Sequence, residues 1–236
     1  MATISASKYG FVSAESELGW MTARDATTGN SYQNQSTNTN TQQCSVFYAA
    51  GGKGSVWSVK RQFLAFNATA YQTGYTITNL KLYYKPTTST VGSSGAGMKV
   101  ALVKSTAQGN ANADLTASDI DNFDDTVDYA DNDGTDVWRD LSTLESWDLN
   151  STAVSAITST GYLKICVMEY LHDYPDSAPL VNPTSYNGSA NYGTIPYLSF
   201  TATPTGYGND IIGVSSSDIS EVIAVSSADI SQVIGV

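Results

Sequence analysis

The chain contains a single histidine, His172, within the segment Glu169-Tyr-Leu-His-Asp-Tyr174. A Ser-His-Asp catalytic site would have to use this imidazole as its general base. The neighbouring Asp173 would point to the opposite face of a strand, because side chains alternate along strands. The sequence also contains no G-x-S-x-G nucleophile motif. We therefore expect His172 to be a loop residue at a strand end, without a catalytic role.

Pairs of carboxylates could cleave glycosidic bonds, with one group as the acid and the other as base or nucleophile. The candidates are Glu145, Asp148, Glu169 and Asp173. Glu169 is the best placed of them, because it follows an apolar run and could face a cleft. No spacing sets one pair apart from ordinary surface carboxylates. The sequence therefore predicts a protein that is not an enzyme, with a glycan hydrolase kept as the third alternative.

The segment from Asp119 to Asp140 holds nine of the 22 acidic residues. Four of its carboxylates crowd around Gly134, namely Asp128, Asp131, Asp133 and Asp136. Oxygen-rich loops bind Ca²⁺, but the EF-hand spacing fails because Tyr129 occupies the first ligand position. No Cys/His spacing typical of zinc occurs either. Two interpretations remain open, a structural Ca²⁺ site and a solvated acidic loop, and no other cofactor is expected.

Aromatic residues are abundant, with 15 tyrosines and four tryptophans. Exposed aromatic rings can stack on sugars or anchor protein interfaces. The segment from Tyr170 to Tyr192 combines such rings with Asn and Asp, and it could form a glycan-binding rim. The rim candidates are Tyr170, Tyr174, Tyr186 and Tyr192. The alternative is that these rings are partly buried in the core.

The chain has two cysteines, Cys44 and Cys166. Cys166 lies in the apolar run Leu163-Lys-Ile-Cys-Val-Met168, which predicts a buried strand. We expect both thiols to be free and buried, although pairing between them stays open. Two cysteines alone do not define the redox compartment.

The composition excludes several classes of partner. The net charge is −11, the opposite of what nucleic-acid binding needs, and it does not favour anionic membranes. No apolar stretch approaches the roughly 18 residues of a membrane span. The N-terminus lacks the pattern of a secretory signal. We therefore expect synthesis in a host cytoplasm, yet a charged fraction of only 14% is typical of extracellular proteins; virion proteins meet both conditions.

The elements that must position these residues are mainly short strands separated by turn signals. Period-2 apolar patterns and turn residues predict strands at 61–67, 75–85, 98–104, 137–141, 147–150, 162–170 and 195–203. A helical turn is predicted at 115–120, and a short capped helix at 150–158 that Gly161 stops. No alternating strand–helix units occur. The sequence therefore predicts an all-β, antiparallel, jelly-roll-like β-sandwich.

The chain divides into three predicted parts. Residues 1–55 are an N-terminal arm and polar segment, in which residues 1–25 form an arm or a first strand. Residues 26–43 carry no charge and almost no apolar side chain, which is typical of a low-complexity loop or an exposed, glycan-like polar surface. Residues 56–203 form the sandwich, and residues 204–236 are a linker and a repeat-containing tail.

The tail repeats itself with a period of 11 residues. Residues 212–222 align with 223–233, and a third copy begins at Ile234. Fixed-period repeats stack because one unit cannot bury its apolar face alone. A helical coil matches the period, but Ile, Val, Ser and Gly favour an extended piece at 222–225 followed by a turn at 226–230. The predicted assembly residues are Ile212, Val214, Ile219, Val222, Ile223, Val225, Ile230, Val233 and Ile234.

Two patterns resemble known families. The tandem Ile-x-Gly-Val units separated by Ser, Ala and Asp resemble C-terminal repeats in structural proteins of tailed bacteriophages. Residues 147–157, 161–165 and 192–200 look like the second half of jelly-roll domains in viral and bacterial surface proteins, where a helix precedes a central strand and a P-x-L-x-F strand closes the domain. The resemblance covers roughly residues 60–236 and implies fold and setting rather than activity.

These observations together favour a structural component of a virus particle, such as a capsid decoration, head fibre or tail-associated protein. The repeats would attach it to other virion proteins or join it into a homo-oligomer, with a trimer among the candidate symmetries. The second hypothesis is a carbohydrate-binding module or receptor-binding adhesin that binds a surface glycan.

Overall fold

A computed structural model describes most of the chain. The described residues are 1–35, 44–51, 54–84, 86–90, 98–131, 137–138, 145–179, 189–192, 195–205, 221–222 and 225–226. Within these ranges, no helix is long and apolar enough to span a membrane.

Sixteen strands occur in the described residues, and most are short. In chain order they are β1 (Ala2–Ser5), β2 (Lys8–Ser16), β3 (Ser31–Gln35), β4 (Ser45–Gly51), β5 (Gly54–Asn67), β6 (Tyr75–Tyr84), β7 (Pro86–Thr90), β8 (Met98–Ser105), β9 (Phe123–Asp128), β10 (Val137–Trp138), β11 (Glu145–Asp148), β12 (Tyr162–Glu169), β13 (Ser189–Tyr192), β14 (Tyr197–Pro204), β15 (Glu221–Val222) and β16 (Val225–Ser226). The helices are α1 (Trp20–Arg24) and α2 (Ser151–Thr160), with 3₁₀ turns η1 (Thr69–Tyr71) and η2 (Ala117–Asp121).

Two antiparallel sheets form the body of the protein. The smaller sheet has the strand order β1-β14-β6-β11. The larger has the order β10-β8-β12-β5-β2-β3, with β4 also paired to β5 and β9 to β8. Short β7 and β13 pair with each other, as do β15 and β16.

The strand order is that of a jelly roll. Eight strands taken in chain order, β1, β5, β6, β8, β10, β11, β12 and β14, are arranged 1-8-3-6 in one sheet and 2-7-4-5 in the other. This arrangement arises when two Greek keys fold over each other. The predicted all-β jelly-roll-like sandwich is therefore confirmed. Strands β2, β3 and β4 are additions that widen the larger sheet around the long β5.

The main core lies between the two sheets. Leu82 of β6 pairs with Leu198 of β14, and both pack with apolar residues of the larger sheet such as Leu64 and Ile165. Burying one such side chain stabilises the fold by about 1.5–3 kcal/mol. Strand β12 supplies both faces of its sheet, because Ile165 points into this core while Cys166 faces the other side.

The outer face of the larger sheet is also covered. Under η2 and its flanking segments, Val12, Phe63 and Cys166 join a second apolar cluster. Under α1, Trp20 packs edge-on against Trp57, with ring centroids 5.9 Å apart. Covering both faces explains why β12 is apolar at nearly every position, as a central strand must be.

Helix α2 has the cap and the stop residue that the sequence predicts, and it runs to Thr160, two residues beyond the predicted end. The Asn150 side chain accepts hydrogen bonds from the backbone N–H groups of Thr152 and Ala153. At the other end Gly161 adopts the left-handed conformation, with φ of 76°, and its N–H donates to Ile157 O. The predicted helical turn at 115–120 is present as η2, closed by a capping box between Thr116 and Asp119.

The sandwich begins before residue 56, which corrects the predicted boundary. Residues Ala2–Ser5 pair with β14, and Lys8–Ser16 pair with β5. The strand alternative for residues 1–25 therefore holds, and residues 1–55 are not an arm. Part of the predicted low-complexity loop is strand β3, which pairs with β2. Likewise, β9 occupies the first part of the predicted acidic loop and pairs with β8.

The repeat tail is described at two short strands. Glu221–Val222 pairs antiparallel with Val225–Ser226, and Val222 lies opposite Val225. The prediction of a single extended piece over residues 222–225 is therefore wrong, because its two ends lie on different, paired strands.

Both cysteines are free and buried, as the sequence predicts. Burial raises the pKa of each thiol, mainly because the thiolate would have no water around it in the interior. Neither is therefore a reactive nucleophile.

Candidate functional site

The turn that follows β12 brings together five of the described residues that the sequence singles out. Strand β12 ends at Glu169, and a turn runs on from Tyr170 through Asp176. The Tyr174 N–H donates to Glu169 O, which closes the turn. Five candidates from the sequence lie here, so the geometry of this turn bears on all of them: Glu169, Tyr170, His172, Asp173 and Tyr174.

Glu169 organises the turn from inside the sandwich. Its carboxylate accepts hydrogen bonds from the N–H groups of Leu171 at 2.9 Å, His172 at 2.7 Å and Asp173 at 3.3 Å. Burial raises the pKa of this carboxyl to about 7, although the three N–H donors act in the opposite direction. The side chain is 0% exposed. A raised pKa is typical of a general acid, but this carboxyl is enclosed by protein and its oxygens hold the turn.

Asp173 forms a buried ion pair with Arg61 of β5. The guanidinium donates from Nε at 3.0 Å and from Nη2 at 2.7 Å, and both residues are 0% exposed. Arg61 also donates to the carbonyl oxygens of Ile120 and Arg24, and lies 4.5 Å from the centre of the Phe123 ring. This one side chain therefore ties together α1, η2, β9 and the turn.

Burial alone would lower the pKa of Arg61, but the Asp173 carboxylate and its hydrogen bonds raise it. A bidentate pair whose guanidinium also donates to two backbone oxygens can balance the cost of burying two charges. Removing one partner of such a pair generally costs about 3–5 kcal/mol, because the other charge is left uncompensated. The pair therefore fixes the turn against the sheet.

Arg24, at the end of α1, lies among several carboxylates. Its guanidinium is within 3.1 Å of Asp25, 3.3 Å of Asp125 and 3.5 Å of Asp176. It also donates to the backbone oxygen of Asp173 at 3.2 Å. The surface beside the turn is thus acidic, with one arginine neutralising part of the charge.

Two of the predicted rim tyrosines meet at this surface. Tyr170 and Tyr174 stack with ring centroids 5.7 Å apart and an angle of 23° between their planes. The Tyr174 hydroxyl donates to the Asp128 carboxylate at 3.0 Å. The glycan-rim and calcium predictions therefore meet at one contact between a tyrosine and an aspartate, both half-buried.

The other residues predicted for the glycan rim, the Ca²⁺ site and assembly lie outside this turn or outside the described residues. Tyr192 ends β13, and Asp131 is exposed three residues after Asp128. Tyr186, Asp133 and Asp136 lie outside the described residues, as do Ile212, Val214, Ile219, Ile223, Ile230, Val233 and Ile234. Among the described residues, no group of three or more His, Cys, Asp or Glu is placed to hold a metal ion. The structural Ca²⁺ stays a prediction.

His172 lies in the turn, where the sequence predicts a loop residue. Its Nδ1 is 3.0 Å from Ser177 O, and burial lowers the pKa of its ring. The neighbouring Asp173 is engaged by Arg61 instead. The two residues therefore do not form the base and orienting carboxylate of a Ser-His-Asp site.

Sequence reasoning missed Arg61 and Arg24. A charged residue directly before the apolar run of a strand is the available signal, because such a position is mostly filled by an apolar side chain, and Arg61 is followed by such a run. Arg24 gives no such signal, because it stands in a five-residue helix of mixed polarity.

Comparisons with models of protein families and with curated proteins found no match to this chain.

Proposed function

We propose that this chain is a non-enzymatic structural component of a virus particle, a capsid decoration, head fibre or tail-associated protein. The observation that carries the proposal is the jelly-roll strand order, an architecture used by viral capsid proteins and lectins. Residues 204–236 would attach the sandwich to other virion proteins or join it into a homo-oligomer. The 11-residue repeat supports this role, because repeated apolar positions need a neighbouring surface to cover them.

The use of the ionisable groups supports a non-enzymatic role. Glu169 and Asp173, two carboxylates that a hydrolase could use, are fully buried and hold the turn after β12. In this arrangement neither carboxyl can contact a substrate, and an acid or base must lie within hydrogen-bond reach of the reacting group.

The proposal is tested by comparing the mass of the full-length protein with that of a variant ending at Tyr207. We expect the full-length chain to be oligomeric in mass photometry, and the shortened chain to be monomeric. The sandwich should remain folded in both, which circular dichroism checks. Monomers in both samples, or oligomers with the same number of subunits in both, would contradict assembly through the repeats.

A carbohydrate-binding module or adhesin is the second candidate, and the stacked Tyr170–Tyr174 pair favours it. An aromatic face beside the carboxylates of Asp128, Asp125 and Asp176 offers a surface for sugar rings and acceptors for their hydroxyl groups. This role is compatible with assembly through the tail, and many subunits would add avidity.

The glycan hypothesis predicts binding on a glycan array that depends on Tyr170. Tyr170→Ala should reduce the signal at least tenfold, because the ring supplies half of the stacked pair. Tyr83→Ala is the matched control, since Tyr83 stacks on Tyr197 of the smaller sheet, with centroids 5.0 Å apart. Equal loss in both variants, or no binding by the oligomer, would contradict a glycan site at the turn.

A further inference from the structure

A second concave surface lies at the opposite end of β12 from the turn. A groove of about 430 Å³ opens between α2 and the ends of β8, β9 and β12. Small-molecule sites typically have volumes of roughly 300–1,000 Å³. Six residues of extended chain separate Lys164, in the groove, from Tyr170, which corresponds to about 20 Å. The lysine end of the groove is therefore separate from the Tyr170–Tyr174 pair, while Val127 and Tyr129 at its other end flank Asp128, which Tyr174 contacts.

The base of the groove is apolar and aromatic. Val127, Tyr129 and Ala156 contribute to its lining, together with the half-buried Tyr162 at the start of β12. Burial raises the pKa of Tyr129 to about 12, and the nearby Asp124 carboxylate adds to the effect. Its hydroxyl is therefore a neutral hydrogen-bond donor across the physiological range. These groups suit the C–H face of a ring that also carries hydroxyls.

Helix α2 presents a row of hydroxyl groups to the same groove. Thr152, Ser155 and Ser159 all contribute to the lining. Their spacing of three and four residues places them on one face of the helix. The Ser159 hydroxyl donates to Ser155 O, so its oxygen remains able to accept a hydrogen bond. A polyhydroxylated ligand could exchange hydrogen bonds with this row.

Two lysines contribute to the lining of the groove in a chain that has only 11 basic residues. Lys104 lies opposite Ile165 in the pairing of β8 with β12 and shares its face, whereas Lys164, one position away, starts from the other face near the end of the sheet. Lys104 lies 3.4 Å from Asp124, and Lys164 donates to Thr106 O at 3.2 Å.

The charge on Lys164 is influenced by its surroundings. Burial lowers the pKa of Lys164 most, Asp119 raises it, and the charge of Lys104 lowers it further. The carboxylates nearest the two lysines are thus Asp119 and Asp124. Either ammonium could donate to a ligand carboxylate, and charge-assisted hydrogen bonds to a carboxylate are among the strongest in proteins.

We propose that this groove binds a sugar ring that carries a carboxylate, of the uronic-acid type. Such a ring has an apolar C–H face, hydroxyl groups at its edges and one negative charge, and the groove offers a counterpart to each. The inference does not depend on assembly through the tail, because every group that carries it lies in α2, β8, β9, β12 or the adjoining residues.

The test is titration of the ¹⁵N-labelled full-length protein with galacturonate at pH 7, followed by NMR. We expect a Kd of about 1 mM, with the largest shifts at Ser155, Ala156 and Lys164. Galactose, which lacks the carboxylate, should bind at least tenfold more weakly. Lys104→Gln and Lys164→Gln should each weaken galacturonate binding at least fivefold. Lys8→Gln is the matched control, since Lys8 pairs with Asp114 away from the groove.

Three outcomes would overturn the proposal. Equal affinity for galactose and galacturonate would show that the lysines do not select a charge. Equal affinity for acetate or phosphate and for galacturonate would show that the rings and hydroxyls add nothing. Unchanged binding in both lysine variants, with thermal unfolding like that of the wild type, would place the site elsewhere. Because the sugar titration and the mass comparison measure different properties, failure of either proposal is recognised separately.

Discussion

Among the described carboxyl groups, Glu169 has the largest shift in pKa on folding. Burial raises its pKa from an ordinary value of 4.5 to about 7. The folded state therefore holds a proton between these values that the unfolded state has released. The contribution of Glu169 to the free energy of unfolding then falls with rising pH across this window, by about 1.4 kcal/mol per pH unit. Below pH 4.5 the contribution of Glu169 to the free energy of unfolding is fully present, and above about pH 7 it is lost.

We predict that Glu169→Gln removes this pH dependence, because an amide does not titrate. Urea unfolding of the two proteins from pH 4 to pH 8 should show the variant gaining stability relative to the wild type as pH rises to 7. The variant exchanges one acceptor oxygen for an NH₂ group, and the hydrogen bonds lost in this exchange lower its stability by an amount that does not itself vary with pH. Glu17→Gln, which changes an exposed glutamate, should keep the wild-type slope. Parallel curves for Glu169→Gln and the wild type would contradict the prediction.

Individual residues are predictable from the sequence when their environment is local. The strand-end position of Glu169 and the loop position of His172 follow from the apolar run that precedes them. The burial of Arg61 does not, since arginine is mostly exposed and only its pairing with the distant Asp173 makes burial tolerable. The lysines of the groove escape prediction for the same reason, because only the pairing of β8 with β12 brings Lys104 and Lys164 to the same end of the sheet.

At the scale of elements, α2 shows how local signals fix both ends of a helix. Asn150 caps the first turn, and Gly161 ends the helix at a φ of 76° that other residues rarely adopt. Gly74 has nearly the same φ, 77°, but a different environment. A Cβ at Gly161 would lie 2.7 Å from Thr69 Cγ2, whereas a Cβ at Gly74 would meet nothing within 4 Å.

This pair of glycines separates backbone strain from packing. We predict that Gly74→Ala lowers the free energy of unfolding by about 1 kcal/mol, from the conformational cost alone. Gly161→Ala should cost at least about 1 kcal/mol more, because Thr69 and η1 must also move. Chemical denaturation of both variants measures the difference. If the two substitutions cost the same, the contact between η1 and the end of α2 does not constrain the helix.

The strands divide into those that the sequence predicts and those that it misses. Strands β6, β8, β12 and β14 carry enough apolar residues to be recognised, and the structure places them in the centre of the two sheets. Strands β1 and β3 were missed or left open, because both lie at sheet edges and are largely exposed. An edge strand buries little, so its sequence carries little alternation, and only pairing with β14 or β2 defines it.

For the whole molecule, the jelly roll joins the two ends of the sandwich in the smaller sheet. Strand β1 pairs with β14, almost 200 residues away along the chain, and β2 pairs with β5 over nine residues. Such pairings have a high loop-closure cost, and composition does not reveal them. The predicted boundary at residue 56 failed for this reason, since it followed the change in local pattern rather than the pairing.

The last prediction concerns the smallest chain that folds. A variant of residues 1–205 retains both sheets and should unfold in one cooperative transition. A variant of residues 56–205, the predicted sandwich, lacks β1 to β4 and with them the core residues Tyr9, Val12 and Trp20. It leaves one edge of β5 unpaired along most of its length and exposes the face that α1 covers. We expect this shorter variant to bind a hydrophobic dye and to show no cooperative thermal transition by circular dichroism. Cooperative unfolding near the midpoint of the 1–205 variant would mean that β1 to β4 are accessory, and that the jelly roll needs neither its first strand nor the widened sheet.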